Sequence, residues 1–422
     1  MSIFSEAYAR EQDAQDALRH LREQFYFPQD EQGGKQLYFC GNSLGLQPQG
    51  VERILLEELA DWRKWAVEGH LLARRAWKSY HELFAEPLAR IVGAKASEVV
   101  AMGSLTANLH LLMVSFYRPT KQRRKIVIER GAFPSDKYAV DSQLLFHGFD
   151  PAADLVQLTP RAGEDCLRTE DILQTISERA DEIALLMLSG VNYYTGQLFE
   201  MERISRHAAA LGIVVGWDLA HAAGNVPIQL HDWGVDFAAW CHYKYLNAGA
   251  GATAGLFVHE KHHRREDLHR FAGWWGHDKE SRFRMPDQFV PIPSAESWQL
   301  SNAPVFALAP LLASLEIFGQ TSMEALREKS LRLTGYLYAL LQQELAEQIR
   351  VITPSDSAAR GAQLSLSLRQ AGRGREVHAA LLRAGVVSDW REPNVIRVAP
   401  APLYNSFADV YGLVSRLKGI LT

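Results

Sequence analysis

Five short apolar runs, KIVIE (125–129), IALLML (183–188), IVVGWD (213–218), DFAAW (236–240) and AGLFVH (254–259), recur through the middle of the chain between stretches of helical periodicity. Strands apolar at successive positions must be covered on both faces, so this pattern demands a parallel or mixed sheet with helices above and below it. The intervening helices are expected over LTANLHLLMVSFY after Gly103, after Pro134, over 169–180 and over MERISRHAAALG, with one more short strand at 154–158. Upstream, residues 5–27 read as a polar helix. YFCGNSLG (38–45) reads as a strand entering a glycine-bounded loop, and two helical stretches follow, from Pro48 to about Gly69 and from Trp77 to Val92. After about Pro304 the texture changes to long helices (306–318 and 322–347), then VIT, AQLSLSL, a helix at 375–384, VIRVA and a last helix at 406–421. That is a smaller α+β unit, expected to pack against the N-terminal helix. The division expected is a helical segment and loop over 1–70, a large α/β body over 71–305 and a small unit over 306–422.

Composition narrows the function classes. At 422 residues, 47% hydrophobic and 22% charged, the chain is globular and too long for one simple core. Lys plus Arg number 45 against 49 Asp plus Glu, which leaves no cationic excess for a phosphate backbone, so nucleic acid is not an expected partner. Three scattered cysteines (Cys40, Cys166, Cys241) build neither a disulfide framework nor a zinc site, and suit a reducing cytosol. The opening MSIFSEAYAREQDAQDALRH lacks the apolar core of a signal peptide, and no run is long enough to span a membrane. A cytoplasmic enzyme or binding protein is expected.

Asp218 ends one apolar run and Lys244 sits just past the next. In open α/β sheets the C-terminal strand ends form the ligand crevice, so both side chains can face one site. Lys244 lies between Tyr243 and Tyr245 and precedes a loop of small residues, 247–252. A partly desolvated lysine favours its neutral amine, the form that makes a Schiff base. A carboxylate facing it is what pyridoxal 5′-phosphate (PLP) requires at its ring nitrogen. Either residue alone is more commonly a helix cap or a solvated loop lysine; the pair is what points to a cofactor. A phosphate site is offered by Gly103-Ser104-Leu105-Thr106, which opens a helix and presents hydroxyls and free amides at its positive end, although Ser or Thr there is equally an ordinary cap. Phe133-Pro134-Ser135-Asp136 opens another helix, with a phenylalanine able to stack on a flat ring.

Two patterns are set aside. His259-Glu260-Lys261-His262-His263 matches H-E-x-x-H, but its first histidine finishes a strand, so the two end histidines do not share a helix face and no metal is expected. Gly249-Ala250-Gly251 leads into a strand rather than a helix, so a dinucleotide pyrophosphate would lack its helix N-terminus.

The strings YFCGNSLGLQP, SLTANLHLLMVSFYRPT, AFPSDKYA, VNYYTGQ, WDLAHAAGNVP, WCHYKYLNAGAGA, GWWGH, QLSNAP and VIRVAPAPLYNSF run through nearly the whole chain. In these the sequence resembles the kynureninase family, PLP-dependent hydrolases of the aspartate-aminotransferase fold (fold type I). The resemblance implies a large domain with a mostly parallel seven-stranded sheet and a smaller α+β C-terminal domain. It also implies that Lys244 carries the cofactor, that Asp218 pairs with the ring nitrogen, and that Leu105, Thr106 and the Phe133, Pro134, Ser135, Asp136 segment hold phosphate and ring. Ser189, His221 and Tyr243 complete that shell, with Tyr243 also a proton relay. Trp274 and Asn302 match positions that touch the cofactor from the partner subunit of a homodimer. Asn42, Ser43, His70, Ser301 and Asn302 match the substrate lining, and Arg397 matches the binder of the α-carboxylate.

The activity implied is hydrolytic Cβ–Cγ cleavage of L-kynurenine or 3-hydroxy-L-kynurenine to anthranilate or 3-hydroxyanthranilate and L-alanine, in tryptophan degradation or NAD precursor synthesis. The rivals are another fold-type-I enzyme, an aminotransferase or a cysteine desulfurase, and a catalytically silent relative acting as a binding module. A desulfurase needs a mobile nucleophilic cysteine. A silent relative has no reason to keep a lysine in an apolar crevice opposite an aspartate.

Overall fold

The computed structural model describes residues 2–422. In chain order its strands are β1 (Leu37–Tyr38), β2 (Val99–Met102), β3 (Lys125–Glu129), β4 (Leu155–Leu158), β5 (Ile183–Ser189), β6 (Val214–Asp218), β7 (Phe237–Cys241), β8 (Ala254–Val258), β9 (Ile349–Val351), β10 (Leu364–Leu368), β11 (Val386–Val387), β12 (Asp389–Arg391) and β13 (Val395–Val398). The large sheet has seven strands in the order β2-β8-β7-β6-β5-β3-β4. Pairing is parallel from β4 across to β7, and β8 alone runs against its neighbours. The parallel or mixed sheet expected from the apolar runs, and the mostly parallel seven-stranded sheet implied by the family resemblance, are therefore present, with one strand inserted in reverse. β7 and β8 are buried at every position, as strands covered on both faces must be.

Helices cover the sheet on both sides, and two apolar cores, one on each face, lock them to it. Each fully buried Leu, Ile or Val in these layers contributes roughly 1.5–3 kcal/mol over its exposed state. A second, four-stranded antiparallel sheet, β12-β13-β10-β9, packs with helices Met323–Leu345, Gly374–Arg383 and Phe407–Leu421 around a separate core. Ala9 of the N-terminal helix joins that core, as expected for a chain whose start folds back on its end.

Three expectations are corrected. The polar stretch 5–27 is not one helix: an α-helix covers Glu6–Ala14 and a 3-10 turn covers Arg19–Gln24. Asp16 breaks it, because its carboxylate accepts from the Leu18 amide at 3.0 Å and pairs with the buried Lys329 at 2.7 Å, which anchors the chain at that point. Strand β2 was not anticipated, since VVAM lies directly before the glycine turn and reads as part of the approach to it. β11 and β12 were missed for the same reason, being too short to show a period. Helix Val305–Phe318 packs largely in the large sheet's core, and the second core takes up the chain from Leu333, within helix Met323–Leu345.

Candidate active site

The parallel strands β3, β5 and β6 end in Glu129, Ser189 and Asp218, and Lys244 follows the end of β7. A cavity of about 340 Å³ opens over these ends, lined among others by Leu105, Thr106, Phe133, Ser135, Asp136, Ser189, Asp218, His221, Tyr243 and Lys244. Asn42 and Ser43 close it from the loop after β1. That loop can approach because Gly45 has no side chain: a Cβ there would meet the Lys244 carbonyl oxygen at 2.4 Å, and the Gly45 amide donates to the Tyr243 carbonyl at 2.8 Å. Asn42 is fixed by a hydrogen bond from Nδ2 to Gln363 Oε1 at 2.7 Å, while its Oδ1 is buried without a partner.

The anion end is built from two helix starts. Gly103, at φ +54°, turns the chain from β2 into helix Leu105–Phe116, a conformation that favours glycine. Ser104 caps that helix by position only; its side chain accepts nothing from the first turn, so the amides remain available. Thr106 Oγ1 and Ser135 Oγ stand 2.7 Å apart, joining the start of helix Leu105–Phe116 to that of helix Pro134–Phe146. Pro134 takes the first position of the second helix, where its missing N–H costs nothing, and does not itself line the cavity.

The cavity wall also carries two acids. Asp218 Oδ1 accepts from the Ala220 amide at 2.8 Å. Asp136 is buried within hydrogen-bond reach of Asp218, and its Oδ1 has no partner. Burial first, then the Asp218 charge, push the Asp136 carboxyl well above the usual carboxylate range. His221 Nε2 lies 3.1 Å from Lys244 Nζ, and burial together with the Lys244 charge keeps its imidazole neutral. Burial raises the Tyr243 phenol well above its ordinary value, so it holds its proton.

The cavity therefore offers hydroxyls and free amides, a carboxyl pair, a stacking ring in Phe133 and a lysine. That donor set fits PLP, and the unpartnered His221 Nδ1 and Asp136 Oδ1 are buried atoms for which such a ligand supplies polar partners.

Other anticipated residues lie elsewhere. His70, Trp274 and Asn302 do not reach this cavity; they line a second one of about 560 Å³ with Val67, Leu71 and Phe283. Ser301 is exposed and lines neither. Arg397 is 1% exposed, hydrogen-bonds the Tyr193 carbonyl at 2.6 Å, pairs with Asp389, and keeps its Nε unpartnered. It sits behind the wall, and Arg391, which shares Asp389 with it, lines the cavity instead. Sequence reasoning passed over Arg391, Tyr193 and Glu129. Tyr193 lies inside the VNYYTGQ string and was within reach; nothing in the sequence singled out the other two. Far from the cavity, at the other end of the sheet, His259 stacks on His231 beside the buried Glu98, while His263 bonds the Val258 carbonyl, so the H-E-x-x-H histidines do not converge. Gly249 and Gly251 lead into β8, not into a helix.

The chain is similar to known proteins over nearly its whole length. The kynureninase C-terminal domain family matches residues 326–417. Kynureninase of Myxococcus xanthus (strain DK1622) is 56% identical over 415 residues, 98% of this chain and 97% of its own length. The chain belongs to the kynureninase family. Among solved structures, a C-DES variant with glycine covalently linked to its PLP cofactor is similar at a TM-score of 0.77 and 15% identity, over 94% of this chain and 98% of that one. The cysteine desulfurase of Thermococcus onnurineus NA1 is similar at 0.74 and 17%, over 92% and 94%. At such identities these structures establish the fold, that of PLP enzymes of fold type I.

Proposed function

We propose that this chain is a PLP-dependent kynureninase that hydrolyses the Cβ–Cγ bond of L-kynurenine or its 3-hydroxy derivative, giving anthranilate or 3-hydroxyanthranilate and L-alanine. The observation that carries the reading is the meeting, in one cavity of a kynureninase-family chain, of Lys244, the Asp218–Asp136 carboxyls and the paired hydroxyls of Thr106 and Ser135. Bound there, PLP supplies an electron sink for negative charge developing on the substrate carbons.

The protein's part is binding, orientation and proton traffic. Lys244 Nζ is the amine to hold the cofactor covalently and, once released, to take the Cα proton, with neutral His221 beside it as hydrogen-bond partner. Asp218 supports a positive charge at the ring nitrogen. Tyr243, kept protonated by burial, is the donor for the proton that the alanine fragment gains. The α-carboxylate falls to the two arginines that share Asp389, Arg397 as the family resemblance implies and Arg391 at the cavity lining, and Asn42 and Ser43 line the substrate side. In this reading residues 71–305 supply the cofactor-binding body, and residues 1–70 and 306–422 supply the loop and the arginines that close it.

The same reading includes a homodimer and a cytosolic home. The second cavity is an open, largely apolar face, with Trp274 at 46% and Phe283 at 51% exposure in its lining, of the kind a second copy covers. The three thiols are unpaired, and among the described residues no single helix is long and apolar enough to cross a membrane. A desulfurase is disfavoured on chemistry: Cys40, Cys166 and Cys241 are each pushed up to about 11 by burial, and none lines the cavity.

The test is direct. The purified protein should absorb in the near-visible and release fluorescent anthranilate on addition of L-kynurenine, and borohydride reduction with peptide mapping should place the pyridoxyl group on Lys244. A colourless protein that takes up no PLP, or a yellow one that transaminates kynurenine without cleaving it, overturns the reading.

A further inference from the structure

Glu129 ends β3 and is 3% exposed. Both of its oxygens are turned to one neighbour: Ser189 Oγ hydrogen-bonds Oε1, and the Ser189 amide reaches Oε2 at 3.4 Å. On its other side Ser189 is in register with Asp218. Glu129, Ser189 and Asp218 thus form a row across the ends of three adjacent strands, of which the last two line the cofactor cavity and the first does not. Glu129 instead borders a separate cavity of about 260 Å³ with Arg130, Asp165, Asn192 and Thr195.

A serine hydroxyl has one proton and can give it in one direction only. If Glu129 is ionised, that proton is committed to Glu129, and Ser189 shows the cofactor cavity lone pairs alone. If Glu129 is a carboxylic acid, Glu129 donates to Ser189 Oγ, and the serine's proton is free to turn inward.

The surroundings favour the acid. On the cavity side the carboxyls of Asp218, on β6, and Asp136, on helix Pro134–Phe146, interact with Glu129 as like charges. On the outer side Arg130 and Asp165 border the small cavity and form no ion pair with it. A buried carboxylate with like charge beside it and no ion-pair partner is costly, and burial, with a smaller contribution from the Asp218 charge, raises its pKa against the opposing hydrogen bonds from the Ser189 hydroxyl and backbone amides. The outer cavity gives its proton a way to water that does not pass the cofactor.

We propose that Glu129 is a positioning residue, held as a carboxylic acid, that turns the Ser189 hydroxyl into the cofactor cavity as a hydrogen-bond donor beside Asp218. This inference rests on the PLP reading of the cavity. It assigns a role to a residue that touches neither cofactor nor substrate.

Infrared difference spectra of the holoenzyme, wild type minus Glu129→Gln at neutral pH, should show a protonated-carboxyl stretch lost in the variant; loss of ionised-carboxylate bands instead overturns the proposal. PLP affinity gives a second readout. Glu129→Gln, which keeps a donor, should stay within about threefold of wild type, while Ser189→Ala and Glu129→Ala should each weaken binding about tenfold, the scale of one neutral hydrogen bond. The double variant should be no weaker than Ser189→Ala alone, since Glu129 acts through the serine. Glu129→Gln as damaging as Glu129→Ala, or additive losses in the double variant, overturns it. Should Glu129→Ala fail to fold, the infrared result on the isosteric glutamine variant decides. A wild-type chain that binds no PLP overturns this inference and the proposed function together, whereas normal PLP uptake with an ionised Glu129 overturns this inference alone.

Discussion

His221 Nε2 stands 3.1 Å from Lys244 Nζ, and the other ring nitrogen of His221, Nδ1, is buried with no partner. When Lys244 is the donor of that bond, a neutral imidazole carries its proton at Nδ1 and presents one spare donor next to the reactive amine. His242, two positions before Lys244, is also buried and is held neutral by its burial, its pKa lowered to about 3. The loop that carries the lysine is therefore flanked by imidazoles that the fold keeps uncharged.

Acid should unfold the protein through these groups. Below the ordinary histidine value of about 6.5 the unfolded chain protonates His221 and His242 while the folded chain does not, so stability falls as pH drops, by up to about 1.4 kcal/mol per pH unit for each. For His242 the window runs from about 6.5 down to about 3. Asp136, whose carboxyl is raised, works in the opposite sense, its cost of burial being relieved as pH falls. Comparing urea unfolding of wild type and His242→Asn from about pH 7 to about 5 isolates the histidine, and the variant should lose stability less steeply by about one such increment. Equal slopes would remove His242 from the account.

Thr106 and Ser135 are expected to grip phosphate rather than merely each other. A hydrogen bond to a charged group contributes about 1.5–3 kcal/mol, so Thr106→Ala or Ser135→Ala should each weaken PLP binding roughly tenfold to a hundredfold. Pyridoxal, which lacks the phosphate, should bind the variants and the wild type alike. Fluorescence titration with both ligands measures this; an equal loss for pyridoxal would place the hydroxyls in folding instead.

Arg397 is the sharper case, because it is buried behind the cavity wall with Nε free and its charge shared with Asp389. A fixed guanidinium can hold a carboxylate by two parallel bonds, so Arg397→Ala should lower kcat/KM at least about a hundredfold while PLP uptake survives. Arg397→Lys should recover only part, since a point charge lacks the fork. If Arg391→Ala reproduces the whole loss and Arg397→Ala does not, the carboxylate belongs to Arg391, the arginine that lines the cavity.

What the sequence made legible follows from how the information is distributed. β5 to β8 were visible as apolar runs because both faces of the sheet are covered, and Asp218 and Lys244 could be paired because strand ends of such sheets open on one crevice. The four residues of β2 were not visible, since a short strand beside a glycine turn has no period to show. Glu129 was hidden for another reason: an acid ending a strand is usually solvated, and only the neighbouring strand order shows that it abuts Ser189. Arg391 depended on the small sheet's docking on the large one, which local pattern does not encode.

The second cavity decides the last prediction. The family resemblance implies that Trp274 and Asn302 touch the cofactor, yet in one chain they line a separate cavity with His70, away from Lys244. Burying exposed surface of this kind stabilises association at roughly 25 cal/mol per Å² before the costs of ordering, so a second copy is the natural cover. If that copy brings Trp274 and Asn302 to its neighbour's lysine, each site needs residues from both chains. Lys244→Ala and Asn302→Ala homodimers should then be impaired, and mixing them should restore activity in the heterodimer, because one of its two sites receives both intact residues. Tagged, purified heterodimers assayed for anthranilate release measure this. A verified heterodimer with no recovery above the parents would show that Asn302 serves the site of its own chain.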